Sequence, residues 1–330
     1  DHLDDSGVPL RRHFENRLRL IEAYDRAGFY AYHLAEHHNT PLGYAPSPGI
    51  FLSAVAQRTT RLKFGPMVYL LPLYHPLRLI DEVCMLDQLS GGRFLYGVGR
   101  GISPIEVGFY GIDFATGAEQ FREAFEVTRI GFTEDELTYH GKFYDFDHVP
   151  IVLKPVQKPY PELWYGTSRP DSIPWAAERG AHIVTLRDTS AARAIIDLYK
   201  AEWAKLGRSQ ADLPLMGINR HVVIAETEAA ARDTARRAYP SWRHNMERLW
   251  AKYAVPFPLA GSLPQEWDAL QAHGHAIAGT PAQVRDYVKE AVEASSATYF
   301  VCDFAFGHMP PADALRSTDL FAREVMPAFA

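Results

Sequence analysis

Glu36-His37-His38 is the segment of the sequence best suited to proton-transfer chemistry. It follows directly on an apolar run, residues 29–35, that is typical of a buried strand. Active sites of barrel enzymes collect where the strands end, and an imidazole exchanges protons near neutral pH, so at least one of these histidines is expected at such a rim. Adjacent residues of an extended segment point to opposite sides, so the two rings cannot both point inward.

A metal site is disfavoured here, because zinc barrels usually carry a His-x-His pair that this segment lacks. A single histidine is more often structural than catalytic. The carboxylate and the second histidine beside it make a catalytic role about as probable as a structural one.

Two polar turns could bind an anion. Gly97-Val98-Gly99-Arg100-Gly101 ends one predicted strand, where glycines let a ligand approach the backbone and Arg100 offers a fixed cation. Gly166 to Ser172 ends another strand and opens a helix, whose first N–H groups attract anions. The alternatives stay open: a tight loop with a surface arginine in the first case, and ordinary helix capping by Ser168 or Ser172 in the second.

Three further histidines, His75, His221 and His308, lie in or soon after predicted strands. Each is by itself more often structural. Together they would place several imidazoles on one rim.

Apolar runs and amphipathic segments alternate along the chain, with glycine and proline between them. This rhythm predicts seven strand–helix units after an initial helix at 14–28, and it favours a (β/α)8 barrel of the TIM type over an open doubly wound sheet. The first strand is expected to lie upstream of Asp1 or to be absent. The predicted strands are 29–35, 62–69, 93–98, 163–166, 182–186, 215–225 and 298–302, and a hairpin is expected at 137–139 and 143–145.

Segment 240–278 fits no strand–helix unit. It is rich in aromatic residues and is broken by Pro256, Pro258 and Pro264, and it follows a helix predicted at 227–238. Aromatic insertions of barrels often cover the active site, and a packing excursion is an equal alternative. We expect a single domain over residues 1–330 that contains this insertion.

The composition excludes several classes of protein. Of the 330 residues 47% are hydrophobic and 22% charged, and the net charge is −6, so neither nucleic acid nor an anionic membrane is an expected partner. No apolar run approaches the roughly 18 residues of a membrane span. Cys84 and Cys302 are the two cysteines, which rules out a disulfide framework and fits a cytoplasmic setting.

The chain resembles the luciferase-like flavin monooxygenases of bacteria over nearly its whole length. The resemblance rests on the order and spacing of seven pieces: Ala35-Glu36-His37-His38, His75-Pro76 with Arg78, residues 86–94, Gly97 to Gly101, residues 175–180, Gly279-Thr280-Pro281, and Glu324 to Pro327. It implies a (β/α)8 barrel that forms a homodimer. It also implies reduced FMN as the cofactor, supplied by a separate NAD(P)H-dependent flavin reductase, and a C4a-peroxyflavin, formed with O2, that oxidises a small or medium organic substrate.

The resemblance also assigns residues. His37 matches the family's catalytic histidine, and Met67 and Val68 match a segment under the flavin ring where a non-proline cis peptide is common. The remaining cofactor residues that it implies are Arg100, Ile102, Thr167, Ser168 and Ser172, and the substrate residues are His38, His75 and His221.

Two alternatives remain open. One is a deazaflavin-dependent oxidoreductase on the same barrel, although Glu36-His37-His38 favours FMN. The other is a flavin-binding homologue without catalytic activity. Gly99 stands where light-emitting members carry a reactive cysteine, so nothing in the sequence favours luminescence.

Overall fold

The computed structural model describes residues 2–3 and 8–329 and divides into two compact units. The first unit contains the described residues through Phe29, residues 40–44, and the chain from Tyr165 onward. The second unit contains residues 30–39 and 45–164. The single domain expected from the sequence stays a prediction.

Short strands alternate with longer helices along the chain. The strands are β1 (His2–Leu3), β2 (Ala31–Leu34), β3 (Lys63–Pro66), β4 (Tyr69–Leu70), β5 (Tyr96–Gly99), β6 (Glu136–His140), β7 (Asp145–Pro150), β8 (Leu163–Gly166), β9 (His182–Thr185), β10 (Met216–Ile224), β11 (Ala276–Gly279), β12 (Tyr299–Asp303) and β13 (Phe306–Gly307). The helices are α1 (Leu10–Ala27), α2 (Pro48–Arg58), α3 (Pro76–Ser90), α4 (Pro104–Gly108), α5 (Gly117–Thr133), α6 (Ile173–Glu178), α7 (Thr189–Lys205), α8 (Glu228–Lys252), α9 (Trp267–Ala272), α10 (Pro281–Ser295) and α11 (Pro311–Leu320).

The second unit is built on parallel strands covered by helices. β2 pairs with β3 from Ala31 opposite Lys63 onward, and β4 pairs with the end of β5. Helix α3 begins at Pro76, a position where a backbone N–H would have no partner within the helix, so the N–H that proline lacks is not missed. The helix ends before Gly91, which has the left-handed conformation at φ 66°. The hairpin of β6 and β7 is antiparallel, as its sequence predicted.

In the first unit β10 is the central strand. It pairs in parallel with β9, β11 and β12. Helix α10 begins with a capping box, in which Thr280 and Gln283 bind each other's backbone N–H groups. Strand β8 begins in the second unit and ends in the first.

The structure corrects the expectation that the first strand is absent. Strand β1 precedes α1 and pairs in parallel with β13. Two residues are too short for an alternating pattern to be read in a sequence. β13 was not predicted either, so the sequence indicated neither strand of this pair.

The structure also revises segment 240–278. Helix α8 was predicted to end at 238, but it continues through Pro240 to Lys252, because buried side chains recur at helical spacing as far as Leu249 and Trp250. Near its end the segment contains α9 and β11, which pairs with β10. Much of the predicted insertion is therefore regular structure, and a covering role for it stays a prediction.

Candidate active site

The Glu36-His37-His38 segment follows β2 in extended form, and its side chains alternate in burial. Glu36 and His38 are buried, whereas His37 between them is partly exposed. The two histidines therefore lie on opposite sides of the segment, as the sequence predicted.

Glu36 is the centre of a buried hydrogen-bond network. Its Oε1 accepts a hydrogen bond from the Tyr74 hydroxyl at 2.9 Å and lies 2.7 Å from His38 Nε2. Its Oε2 accepts from the backbone N–H of Leu70 at 2.9 Å. Burial, and then the charge of Glu36, raises the pKa of Tyr74, so this phenol remains a donor. An ionised carboxylate is acceptor-only and satisfies these donors.

Both ring nitrogens of His38 are engaged inside the protein. Nε2 faces Glu36, and Nδ1 lies 2.8 Å from the Tyr110 hydroxyl. In a neutral ring that donates to the carboxylate through Nε2, Nδ1 accepts from the phenol. Burial, followed by the charges of Glu36 and Glu106, raises the pKa of Tyr110 and keeps this hydroxyl protonated.

Glu106 in α4 is the second buried carboxylate of the site. Its Oε2 accepts from the backbone N–H of His38 at 2.8 Å and lies 3.5 Å from Nδ1 of His37. Burial alone would raise the pKa of Glu106, but the pairing with His37 and the His38 N–H outweigh it, and this pKa is lowered. The carboxylate is therefore ionised beside His37 at neutral pH.

The Met67–Val68 peptide is cis, as the resemblance implied, and it lies between β3 and β4. Met67 donates its N–H to Leu34 at 2.7 Å, directly before the Glu-His-His segment. The end of β5 packs closely on this region. A Cβ on Gly97 would lie 1.8 Å from the Pro66 carbonyl oxygen, and one on Gly99 would lie 2.4 Å from Cγ2 of Val68.

The other predicted residues of the second unit have surroundings of their own. The Arg100 guanidinium, directly after β5, stacks 4.5 Å from the centre of the Phe114 ring. Ile102 is exposed two residues later. His75, just before α3, is also exposed, and its ring meets Phe146 edge to face at 5.8 Å.

In the first unit the turn after β8 holds its own hydroxyls together. Thr167 is buried, and its Oγ1 lies 2.8 Å from Oγ of Ser172, which donates to the Arg169 carbonyl at 2.8 Å. Ser168 is half-buried in the same turn, and Arg169 pairs with exposed Asp171.

His221 of β10, also in the first unit, is buried beside a carboxylate. Its Nδ1 lies 3.1 Å from Asp303 Oδ2, and the two residues are register partners in β10 and β12. Its ring packs among aromatic side chains, with centroid distances of 4.5 Å to Trp242, 4.5 Å to Phe306 and 5.9 Å to Tyr239.

The sequence predicted His37, His38 and His221 as site residues but did not predict their partners. Glu106, Tyr74, Tyr110 and Asp303 were not predicted, and Glu36 was noted only as a neighbouring carboxylate. One local signal existed, because Ser103 to Glu106 has the Ser-x-x-Glu pattern of a helix start.

Between residues 8 and 329 no helix has the length and apolar content that a membrane span requires. Nor does the described part of the chain contain a group of three or more His, Cys, Asp or Glu side chains placed to hold a metal ion.

Comparison with known sequences gives matches along nearly the whole chain. The family described as luciferase-like monooxygenase matches residues 2–298. The chain is 41% identical to the uncharacterized protein y4wF of Sinorhizobium fredii, over 94% of this chain and 90% of that protein. It is 27% identical to limonene 1,2-monooxygenase of Rhodococcus erythropolis, over 99% of this chain and 84% of that enzyme.

Solved structures agree with the fold. Monooxygenase RslO1 of Streptomyces bottropensis matches with a TM-score of 0.84 and 26% identity, over 99% of this chain and 95% of that one. The oxygenating constituent of 3,6-diketocamphane monooxygenase of Pseudomonas putida, a type II Baeyer–Villiger enzyme in complex with FMN, matches with a TM-score of 0.81 and 22% identity, over 97% and 94%. The predicted TIM-barrel class of fold is confirmed.

Proposed function

Since the chain belongs to the luciferase-like monooxygenase family, we propose that it is the oxygenating component of a two-component enzyme that uses reduced FMN and O2. The observation that carries this proposal is the cluster of His37 and His38 with two buried carboxylates, close to the Met67–Val68 segment that bonds to the end of β2. When bound, reduced FMN would supply the electrons that activate O2 for oxidation of the substrate. The chain's own residues would bind the flavin, position the substrate and move protons.

Each unit offers residues whose chemistry suits part of a flavin mononucleotide. Arg100 of the second unit is a permanent cation that suits a phosphate. In the first unit Thr167, Ser168 and Ser172 carry hydroxyls, and we assign them to the phosphate on the resemblance alone. Gly97 and Gly99 let β5 end tightly against Pro66 to Val68, where the resemblance places the flavin ring. We assign Met67, Val68 and Ile102 to the cofactor on the resemblance alone.

We assign the proton-transfer role to His37. Its ring is partly exposed and lies beside an ionised carboxylate, so it can gain and lose a proton readily. The substrate roles of His38, His75 and His221 remain proposals from the resemblance. Of these, His221 has the most apolar surroundings.

An apolar organic compound of small or medium size is the proposed substrate class. The names of two related enzymes give such compounds as their substrates, limonene in one case and a diketocamphane in the other. The aromatic side chains around His221 are consistent with that class.

A separate reductase and a second copy of the chain are the proposed partners. The Pseudomonas neighbour is described as an oxygenating constituent, which supports a separate reductase here. The second copy would cover the α2–α3 patch, which we define as Ile50, Met85, Leu89, Val152 and Val156. All of these apolar side chains are exposed, Val152 by 90% and Ile50 by 77%. A cytoplasmic location stays a prediction; both cysteines are free.

The test of the proposed function is an anaerobic titration with reduced FMN and, in parallel, with a reduced deazaflavin. Fluorescence of the six tryptophans reports binding. Saturable quenching by reduced FMN alone, followed by substrate-dependent O2 consumption, is the expected result. Quenching by the deazaflavin alone would move the protein to hydride transfer. FMN binding with no O2 consumption beyond that of reduced FMN itself, for any apolar substrate, would favour the non-catalytic alternative.

A further inference from the structure

Glu106 occupies a position at which its sequence predicts a different contact. Ser103 precedes α4 and accepts a hydrogen bond from the Glu106 N–H at 3.2 Å, as a Ser-x-x-Glu helix start requires. In that motif the glutamate side chain would return to the backbone N–H of the serine. Here the carboxylate is directed to the Glu-His-His segment instead, 68 residues away in sequence from His38.

The two histidines of that segment have different carboxylate partners on different ring nitrogens. His38 meets Glu36 through Nε2, and His37 meets Glu106 through Nδ1. A carboxylate accepts hydrogen bonds only, so the ring nitrogen that faces it must carry the proton. Hydrogen bonds to the two carboxylates would therefore require opposite tautomers of the two adjacent imidazoles when both are neutral.

We propose that Glu106 is a positioning residue that fixes His37 as the Nδ1–H tautomer. The basic lone pair of neutral His37 is then on Nε2, the nitrogen turned away from Glu106. Glu106 contacts the ring at Nδ1 and accepts from the His38 N–H of the same segment, so this side chain acts on both the orientation and the tautomer of His37. The use of His37 in turnover rests on the proposed monooxygenase function, whereas the tautomer does not.

The direct test is ¹⁵N NMR of the histidine rings in protein without added flavin. The His37 signals are identified by their loss in His37→Gln. At a pH where the ring is neutral, wild-type His37 is expected to show a protonated Nδ1 and an unprotonated Nε2. In Glu106→Gln, whose amide can both donate and accept, the two signals should move toward a mixture of tautomers.

Two variants separate tautomer control from structural support. Glu106→Gln keeps an oxygen that can accept from the His38 N–H, so the fold should be retained. Its circular dichroism spectrum should therefore match that of the wild type. Glu106→Asp keeps the charge and should restore a larger share of the Nδ1–H form than Glu106→Gln. Glu119→Gln is the matched control, since Glu119 pairs with Lys142 on the exposed surface, and it should leave the His37 signals unchanged.

Turnover supplies a second measurement. Glu106→Gln should lower kcat by about tenfold or more, part of the roughly 10²–10⁴-fold that acid–base catalysis contributes, with little change in KM. Loss of the carboxylate removes a stabiliser of the imidazolium, so the acidic limb of the kcat profile should move to lower pH. An Nε2–H wild-type ring, or a tautomer that Glu106→Gln does not alter, overturns the proposal. If the NMR result holds and no oxygenase activity is found, the proposed function fails and Glu106's role stands.

Discussion

Individual side chains at the end of β2 show how one short motif can hold two functions. His38 is enclosed, with Glu36 on one ring nitrogen and Tyr110 on the other. His37 is partly exposed, with one carboxylate at 3.5 Å. A ring with both nitrogens engaged is suited to rigid support, and a ring that remains accessible is suited to proton exchange.

Replacing Arg100 and His37 separately should divide binding from turnover. Arg100→Ala removes a charge-assisted contact to the phosphate and should weaken reduced FMN binding roughly 10- to 100-fold. His37→Ala should leave that affinity unchanged and slow turnover by about 10²–10⁴-fold. Fluorescence titration and kcat, measured on both variants, decide the matter. Arg129→Ala, which removes an ion pair with Glu126 on α5, is the control. If Arg100→Ala and His37→Ala both lost only FMN binding, the role assigned to His37 would be wrong.

At the scale of elements, regular strands and helices could be predicted from the sequence, and contacts between distant segments could not. Strand β8 was predicted with its observed bounds, and β10 within a residue at each end. β11 was missed because four apolar residues after a helix resemble its continuation. The end of α8 was missed because proline usually breaks a helix, whereas burial of the next turns outweighs that loss here.

The same difference applies to the site. His37 and Arg100 could be proposed because they follow apolar strands in the sequence. Glu106 and Asp303 could not, since their partners lie far away along the chain, and only the tertiary fold brings the two carboxylates to the imidazoles. No periodicity of the sequence records such a contact.

The close packing of β5 on the residues before β4 gives a prediction about two neighbouring glycines. Gly97→Ala would place a Cβ 1.8 Å from the Pro66 carbonyl oxygen, so the backbone must shift, and a loss of about 1–3 kcal/mol is expected. Gly99→Ala meets only the Val68 side chain, at 2.4 Å, and should cost less. Urea unfolding measures both. Gly108→Ala, with no atom within 4 Å of the new Cβ, is the control, and equal stability of the Gly97 and Gly108 variants would contradict the prediction.

For the whole molecule, the α2–α3 patch gives a prediction about assembly. The wild type should sediment at twice the chain mass of 37.2 kDa. The double variant Ile50→Lys with Leu89→Lys places charges on the patch and should sediment at the mass of one chain, because a charge buried without a partner opposes association. Leu206→Lys, at an exposed leucine of the first unit, is the control and should remain a dimer. A wild type that is monomeric at every concentration would exclude this assembly.

The dependence of folding stability on pH should include a measurable contribution from His275. This residue follows α9 in the first unit and is buried. Burial, and then the charge of Arg220, lowers its pKa to about 4. The unfolded ring binds its proton near pH 6.5, so between about pH 6.5 and 4 the unfolded chain binds more protons than the folded one, and acidification favours unfolding.

The contribution of His275 to the free energy of unfolding is therefore complete above pH 6.5 and is lost as the pH falls toward 4. Its size is on the order of 3 kcal/mol. Carboxylates also weaken the fold in acid, so the measurement is the difference between variants in urea unfolding at several pH values. His275→Gln cannot titrate and should flatten the stability curve in this window, even if its stability at pH 7.5 is lower. His244→Gln, on an exposed position of α8, should keep the wild-type slope. If His275→Gln keeps it too, the buried ring is not the group that titrates, because a neutral side chain cannot produce a pH-dependent free energy.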